Sequence, residues 1–325
     1  MTFIEKIRRN AKASLKTIVL PEAFDPRVLK AAVFLRDQQL VVPVLLGKEE
    51  ETNKMARENS VNLDGIQIID VEKSPKLGQL AERYYEMRKN KGITPEKAAE
   101  TVKDGLFFGA FMVRDGEAAG AVAGSMATTA DVMRAGIQII GVAQGIKVVS
   151  SSFIMVLQGG REITFADCAV IPNPDAEQLA SIAISSAKTH QMLVGEAPKV
   201  AMLSFSTKGS AQHEDADKVI KATARVKELM PELSVDGEMQ FDAAYVESIG
   251  KKKAPGSPVA GNANVYIFPD LDSGNIGYKI AQRIGGAEAV GPVVQGLAKP
   301  FNDLSRGCSV DDIINVACIC SILSN

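Results

Sequence analysis

Scarcity of several residue types narrows the chemistry open to this 325-residue chain. Its two histidines, His190 and His213, lie in a helical stretch and a polar segment, so a Ser–His–Asp triad is not expected. The sequence contains no H-E-x-x-H. The four cysteines, Cys168, Cys308, Cys318 and Cys320, form no C-x-x-C pair and fit neither a zinc module nor a disulfide framework. Reduced thiols of a cytoplasmic protein are the expectation. Neither G-x-G-x-x-G after a strand nor G-x-x-x-x-G-K-[ST] occurs, which removes the usual nucleotide phosphate loops. No run reaches the ~18–20 apolar residues of a membrane span. A formal charge of -2 argues against a nucleic-acid or anionic-membrane partner reached by bulk electrostatics. Anions must be held locally, by Arg, Lys and backbone N–H groups.

With 46% apolar and 23% charged residues the composition is that of an ordinary globular protein of one large or two medium domains. The basic N-terminus reads as the first helix of the fold, since it carries Glu5 and runs straight into a strand-like segment. Residues 16–21, 41–47 and 66–71 are strand-like, and helical spacing recurs between them, as in Val28, Leu29, Ala32 and Val33. Strands alternating with helices predict an α/β domain with a mostly parallel, buried sheet. A charged helix over 76–91 stops at Gly92, and Thr94-Pro95 starts another. The small residues from Gly116 to Gly124 are read as tight helix packing. From about residue 148 a second alternating series begins, with strands in VVSSSFIMVL, ITFADCAVI, KVAMLSFST and VYIFPDL and helices over 175–193, 214–229 and 309–323. Two α/β domains are expected.

Chemistry concentrates in a few segments. In AKPFNDLSRGCSVDDII (298–314), Asn302, Asp303, Ser305, Arg306, Asp311 and Asp312 crowd around Gly307 ahead of an apolar helix. Ser309-x-x-Asp312 fits a capping box, in which Asp312 merely satisfies a backbone donor. A guanidinium beside helix N–H groups, however, suits a phosphoryl substrate. In KVAMLSFSTKGSA (199–211) a strand opens into Ser206, Thr207 and Lys208, either an ordinary polar loop or a set of anion contacts beyond a strand end. The hydroxyls from Ser125 to Thr129, Thr128 among them, precede a helix and suit anion or carbonyl binding. Cations gather at Arg88, Lys89 and Lys91, near a helix end, and at Arg134; charged helix faces of this kind are commonly just solvated.

Taken together, IVLPEAFDPRVLKAA, YYEMRKNKGIT, TTADVMRAGIQII, FADCAVIPNPDAEQLA, VAGNANVYIFPDLDSGNIGYK and AKPFNDLSRGCSVDDI resemble the phosphate acetyltransferase family over nearly the whole chain. The resemblance implies two α/β domains with mostly parallel sheets flanking a cleft, in an isocitrate/isopropylmalate dehydrogenase-like architecture. The first domain would comprise 1–147 plus 297–325 and the second 148–296. It implies a homodimer, no metal and no tightly bound cofactor, with coenzyme A as a substrate alongside phosphate and acetyl phosphate. Residue by residue, it makes Asp312 the base that takes the CoA thiol proton, Ser305 a hydrogen-bond donor to the reacting carbonyl, and Arg306 the phosphate ligand. It links Arg88 and Arg134 to CoA and substrate binding. Thr128, Thr129, Ser206, Thr207, Lys208 and Asn302 complete the expected binding set.

Departures from the family pattern are few. Ala127 stands where a histidine is usual, Ala135 follows the second arginine in place of proline, and the opening motif reads P-E-A-F-D. Cys308, near a helix N-terminus, raises the alternative of a covalent acyl-enzyme. Competing readings are a propionyl- or butyryl-preferring enzyme, a non-catalytic acetyl-CoA-binding regulatory domain, and a decarboxylating dehydrogenase of related architecture.

Overall fold

The computed structural model describes residues 1–324. In chain order its strands are β1 (Thr17–Leu20), β2 (Val42–Leu46), β3 (Gln67–Ile69), β4 (Gly120–Ala123), β5 (Ser150–Val156), β6 (Glu162–Ala166), β7 (Lys199–Leu203), β8 (Ser234–Met239), β9 (Val265–Ile267), β10 (Glu288–Gln295) and β11 (Phe301–Asp303). They divide between two compact units. One holds Phe3–Gly141 and residues 297–324; the other holds Val142–Gly296.

The first unit carries a five-stranded sheet in the order β11-β4-β1-β2-β3. Every pairing in it is parallel. Parallel strands need crossover helices, so both faces are covered and the strands become apolar throughout. Accordingly Ile18, Val19, Leu20, Leu45, Leu46, Ala121 and Ala123 are almost fully buried. The crossover helix Pro26–Asp37 starts because Asp25 caps it and Pro26 presets its first turn. It buries Val28, Leu29, Ala31, Ala32 and Leu35.

The segment Gly116–Gly124, expected as a place of tight helix packing, contains a strand. Gly116 ends the helix Gly105–Asp115 in a left-handed conformation, and β4 follows. The closeness is real but lies between strand and helix. A Cβ on Gly120 would collide with Cys320 of the helix Val310–Leu323 and with the Pro300 carbonyl. That helix docks on the first helix, Phe3–Ser14, through Arg8 Nε to Asn315 (3.1 Å), Arg8 Nη2 to Asp311 (2.9 Å) and the Ser14–Ser321 hydroxyl pair (3.1 Å).

The second unit carries a six-stranded sheet in the order β10-β5-β6-β9-β7-β8. Strand β5 runs antiparallel to both its neighbours, and β6, β9, β7 and β8 are mutually parallel. The helix Ala176–Leu193 covers one face. It is capped by Asp175 and Gln178 in a reciprocal capping box and buries twelve of its residues, His190 among them. The imidazole Nδ1 of His190 lies 2.8 Å from the Thr164 hydroxyl in the core. His213 caps the helix Glu214–Leu229, accepting from the Asp215 N–H.

Candidate active site

In the first unit the loops leaving β1, β4 and β11 are neighbours, because these strands are adjacent in the sheet. Ligands of open α/β sheets bind beyond the carboxyl ends of strands. Three side chains weld these loops together. Glu22, after β1, is buried and accepts four hydrogen bonds from the loop after β4: Ser125 N–H (2.8 Å) and hydroxyl (3.0 Å), Met126 N–H (3.0 Å) and Ala127 N–H (2.7 Å). The nest of donors that the sequence offered to an external anion is thus filled by an internal carboxylate. Thr128 caps the helix Thr129–Ala135, and Thr129 donates to Asp303 Oδ2 at 2.6 Å. Burial pushes the Asp303 carboxyl up to about 6; the Thr129 hydroxyl opposes the rise and the Glu22 charge adds to it.

The third is Arg27. Asp25 grips it through Nε (3.1 Å to each oxygen) and Nη2 (2.8 Å). Its Nη2 also donates to the Ser125 carbonyl (2.9 Å), and its Nη1 to the carbonyls of Arg306 (2.9 Å) and Cys308 (2.8 Å). Both Glu22 and Arg27 lie in the IVLPEAFDPRVLKAA stretch, where no local pattern shows which loops they hold.

The turn after β11 holds the three residues expected to react. Ser305, Arg306 and Asp312 are all exposed. The Gly307 N–H donates to Ser305 Oγ (3.2 Å), and the Cys308 N–H to the Ser305 carbonyl (2.9 Å). The capping box is formed: Asp312 Oδ2 accepts from the Ser309 N–H and hydroxyl, both at 2.8 Å, and Ser309 Oγ accepts from the Asp312 N–H at 3.1 Å. Neither Asp312 Oδ1 nor the Arg306 guanidinium has a hydrogen-bond partner among the described residues. Cys308 sits among them, buried, its thiol pushed by burial up to about 11. The acyl-enzyme alternative needs a depressed value; desolvation outweighs the nearby Arg27 charge.

Arg88 and Arg134 come together. Both line a cavity of about 770 Å³ in the first unit, with Lys91, Lys97 and Lys103, against the carboxylates Glu72, Glu100 and Asp104. Arg134 is held by Asp131 at 2.6 Å, and the half-buried Arg88 side chain has no hydrogen-bond or ion-pair partner among the described residues. Five cations around one cavity suit a ligand bearing several phosphates.

Other expected binding residues are engaged internally. Asn302 is fully buried in β11 beside Cys320. In the second unit Ser206, also fully buried, donates to Glu238 Oε1 (2.9 Å), which takes the Gly209 N–H as well (2.8 Å). Thr207 Oγ1 accepts from the Gln240 N–H (2.9 Å), and Lys208 pairs with Asp236 and the Gly237 carbonyl. As around Glu22, a buried carboxylate, here Glu238, takes hydrogen bonds from the loop that the sequence offered to an anion.

Residues 2–321 match the model of the family described as phosphate acetyl/butaryl transferase. The chain belongs to that family. Phosphate acetyltransferase of Acetivibrio thermocellus is 51% identical over 99% of this chain and 98% of its own. Among solved structures, a phosphotransacetylase from Streptococcus pyogenes superposes with a TM-score of 0.95 at 41% identity, covering 99% of this chain and 98% of that one. The fold extends further: a 4-hydroxythreonine-4-phosphate dehydrogenase from Burkholderia phymatum shares it at a TM-score of 0.56 and 13% identity, over 94% and 98% of the two chains. Membership in the phosphate acetyl/butaryl transferase family makes the chain an acyltransferase.

Proposed function

We propose that this chain interconverts acetyl-CoA plus phosphate with acetyl phosphate plus CoA, by direct attack of the CoA sulfur in a ternary complex. One observation carries the reading: the turn 305–312 presents a guanidinium, a hydroxyl and a carboxylate oxygen to solvent, in the unit whose arginine-lined cavity suits CoA phosphates. In the direction of acetyl-CoA synthesis the sulfur bonds to the acetyl carbon, the carbon–oxygen bond to phosphate breaks, and phosphate leaves. Asp312 takes the thiol proton, Ser305 donates to the developing oxyanion, and Arg306 neutralises the phosphate. Full transfer of a proton from a thiol to an ordinary carboxylate is uphill by roughly 6 kcal/mol. A proton that moves in concert with sulfur attack avoids that cost. Arg88 and Arg134 hold the phosphates of CoA.

Acetyl rather than butyryl is favoured by the relatives at about half identity, which are named phosphate acetyltransferases. An extra methylene is worth only about 1–3 kcal/mol of discrimination. Phosphate- or arsenate-dependent release of free CoA from acetyl-CoA, with propionyl-CoA and butyryl-CoA in parallel, tests both points. No CoA release from any of the three sinks the reading.

The four cysteines are all free, which supports a reducing, cytoplasmic setting. We also infer a homodimer. The helix Leu271–Arg283 buries only Gly274, and Ile276, Ile280 and the following Ile284 stand 53–84% exposed in one row. Asp272 at its start and Arg283 at its end make the face self-complementary for an antiparallel copy about a two-fold axis. Sedimentation of the wild-type chain as a monomer at micromolar concentration ends this reading.

A further inference from the structure

The guanidinium of Arg27 is saturated by the protein. Nε and Nη2 hold Asp25, Nη2 also reaches the Ser125 carbonyl, and Nη1 reaches the carbonyls of Arg306 and Cys308. Every nitrogen is occupied, so the group is poorly placed to bind a ligand. Its partners show a different use.

A trans peptide is planar, with its C=O and N–H pointing in opposite directions. The carbonyl of Arg306 and the N–H of Gly307 belong to one such plane, as do the carbonyl of Cys308 and the N–H of Ser309. Pulling the first carbonyl toward Arg27 turns the Gly307 N–H away, onto Ser305 Oγ at 3.2 Å. Pulling the second turns the Ser309 N–H onto Asp312 Oδ2 at 2.8 Å. One nitrogen, Nη1, thus sets both planes, and each plane ends on a side chain assigned to the reaction.

We infer that Arg27 is a positioning residue for acetyl transfer: through the peptide planes 306–307 and 308–309 it fixes the Ser305 hydroxyl and the Asp312 carboxylate. This rests on the function proposed above. Asp25 belongs to the same device, because it holds the guanidinium from the far side and is itself almost fully buried.

The test uses the full chain. Arg27→Ala is expected to lower kcat by about 100-fold, the cost of a small misplacement of reacting groups, while the KM values for phosphate and acetyl-CoA stay within about threefold. Added guanidinium ion is expected to restore part of kcat. In a Ser305→Ala background the same substitution is expected to cost less than about tenfold, because part of its effect runs through Ser305. Arg27→Lys, which keeps the charge beside Asp25 but offers a single nitrogen, is the variant to read if Arg27→Ala does not fold. Amide hydrogen exchange at Gly307 and Ser309 is expected to quicken in either variant while the β4 amides keep their protection.

Wild-type kcat retained within about twofold in Arg27→Ala, or equal losses in the two backgrounds, overturns the inference. A wild-type chain without phosphate-dependent CoA release overturns the proposed function instead. Exchange at Gly307 and Ser309 then still decides whether Arg27 orients the two planes, and unchanged rates reject it.

Discussion

Glu22 Oε1 accepts the Ala127 N–H at 2.7 Å, so a carboxylate leaving β1 holds the loop that leaves β4 from inside the protein. The backbone of Ala127, not its side chain, makes this contact. The same loop gives its Ser125 carbonyl to Arg27. Glu22 and Arg27 therefore grip one loop from its donor side and its acceptor side.

Glu22→Gln tests this grip. The amide keeps the shape but replaces one acceptor oxygen by an NH₂ group facing N–H donors. Hydrogen bonds to a charged group are each worth about 1.5–3 kcal/mol, so a loss of roughly 2–3 kcal/mol in urea unfolding is expected. The Ser125, Met126 and Ala127 amides are expected to exchange faster. Unchanged protection at those three amides rejects the account.

Asp303 gives a pH dependence of defined sign. Its carboxyl is pushed by burial up to about 6, against ~3.9 in an unfolded chain. Between those values the folded chain binds the proton more tightly, so this residue's contribution to stability falls as pH rises from about 4 to about 6. The full penalty, of order 3 kcal/mol, is present above that window and absent below it. Asp303→Asn keeps an acceptor for the Thr129 hydroxyl and removes the charge. It is expected to be more stable than wild type at pH 8, with the difference fading toward pH 4. A difference that stays flat across that range contradicts the assignment.

Cys308 is expected to be dispensable for chemistry. With its thiol pushed up to about 11 by burial, only a fraction on the order of 10⁻⁴ is thiolate at neutral pH. Cys308→Ala should therefore keep kcat within about tenfold, a margin that allows for the small cavity left beside Arg27. Acetyl-enzyme trapped on Cys308 from labelled acetyl phosphate in the absence of CoA reverses this conclusion.

How much of this was legible in the sequence depended on the distance between partners. The helix Val310–Leu323 and its Ser309–Asp312 box were readable because cap and partner lie three residues apart. The largely buried strands β1 and β2 announced themselves as apolar runs. Strands β8 and β10 did not: SVDGEM mixes charge with apolar residues, and β10 is broken by Gly291-Pro292 at a register shift. In the site, Arg27 meets Arg306 across 279 residues and Glu22 meets Ser125 across 103, and no local pattern encodes either contact. The same distance effect hides the partners of Ser125–Thr129 and of Ser206–Lys208. Both loops have the donors of an anion site, and only the fold supplies the internal carboxylate that fills it.

Arg306 and Arg88 are expected to separate by substrate. Arg306 lies on the reactive turn, its guanidinium without a hydrogen-bond partner among the described residues, whereas Arg88 lines the cationic cavity. Arg306→Gln is expected to raise the KM for phosphate, and Arg88→Gln the KM for CoA. Each loses a charge-assisted contact worth about 1.5–3 kcal/mol, or roughly 10- to 150-fold. Initial-rate kinetics with each substrate varied in turn checks the split, and the opposite pairing of residue with substrate would falsify it.

Asp312→Asn separates the cap from the base. The asparagine side-chain oxygen still accepts, so the Ser309 N–H keeps an acceptor and the melting temperature is expected to fall by no more than a few degrees. An amide cannot take a proton from a thiol. Loss of a general base typically costs about 10²–10⁴ in rate, so kcat is expected to fall by at least 100-fold, with KM values little changed. The two functions then appear in two measurements on one variant: an almost unchanged thermal transition and a collapsed turnover. If kcat instead stays within tenfold of wild type, the capping box is the whole role of Asp312. The thiol proton must then leave by another acceptor, such as the departing phosphate itself.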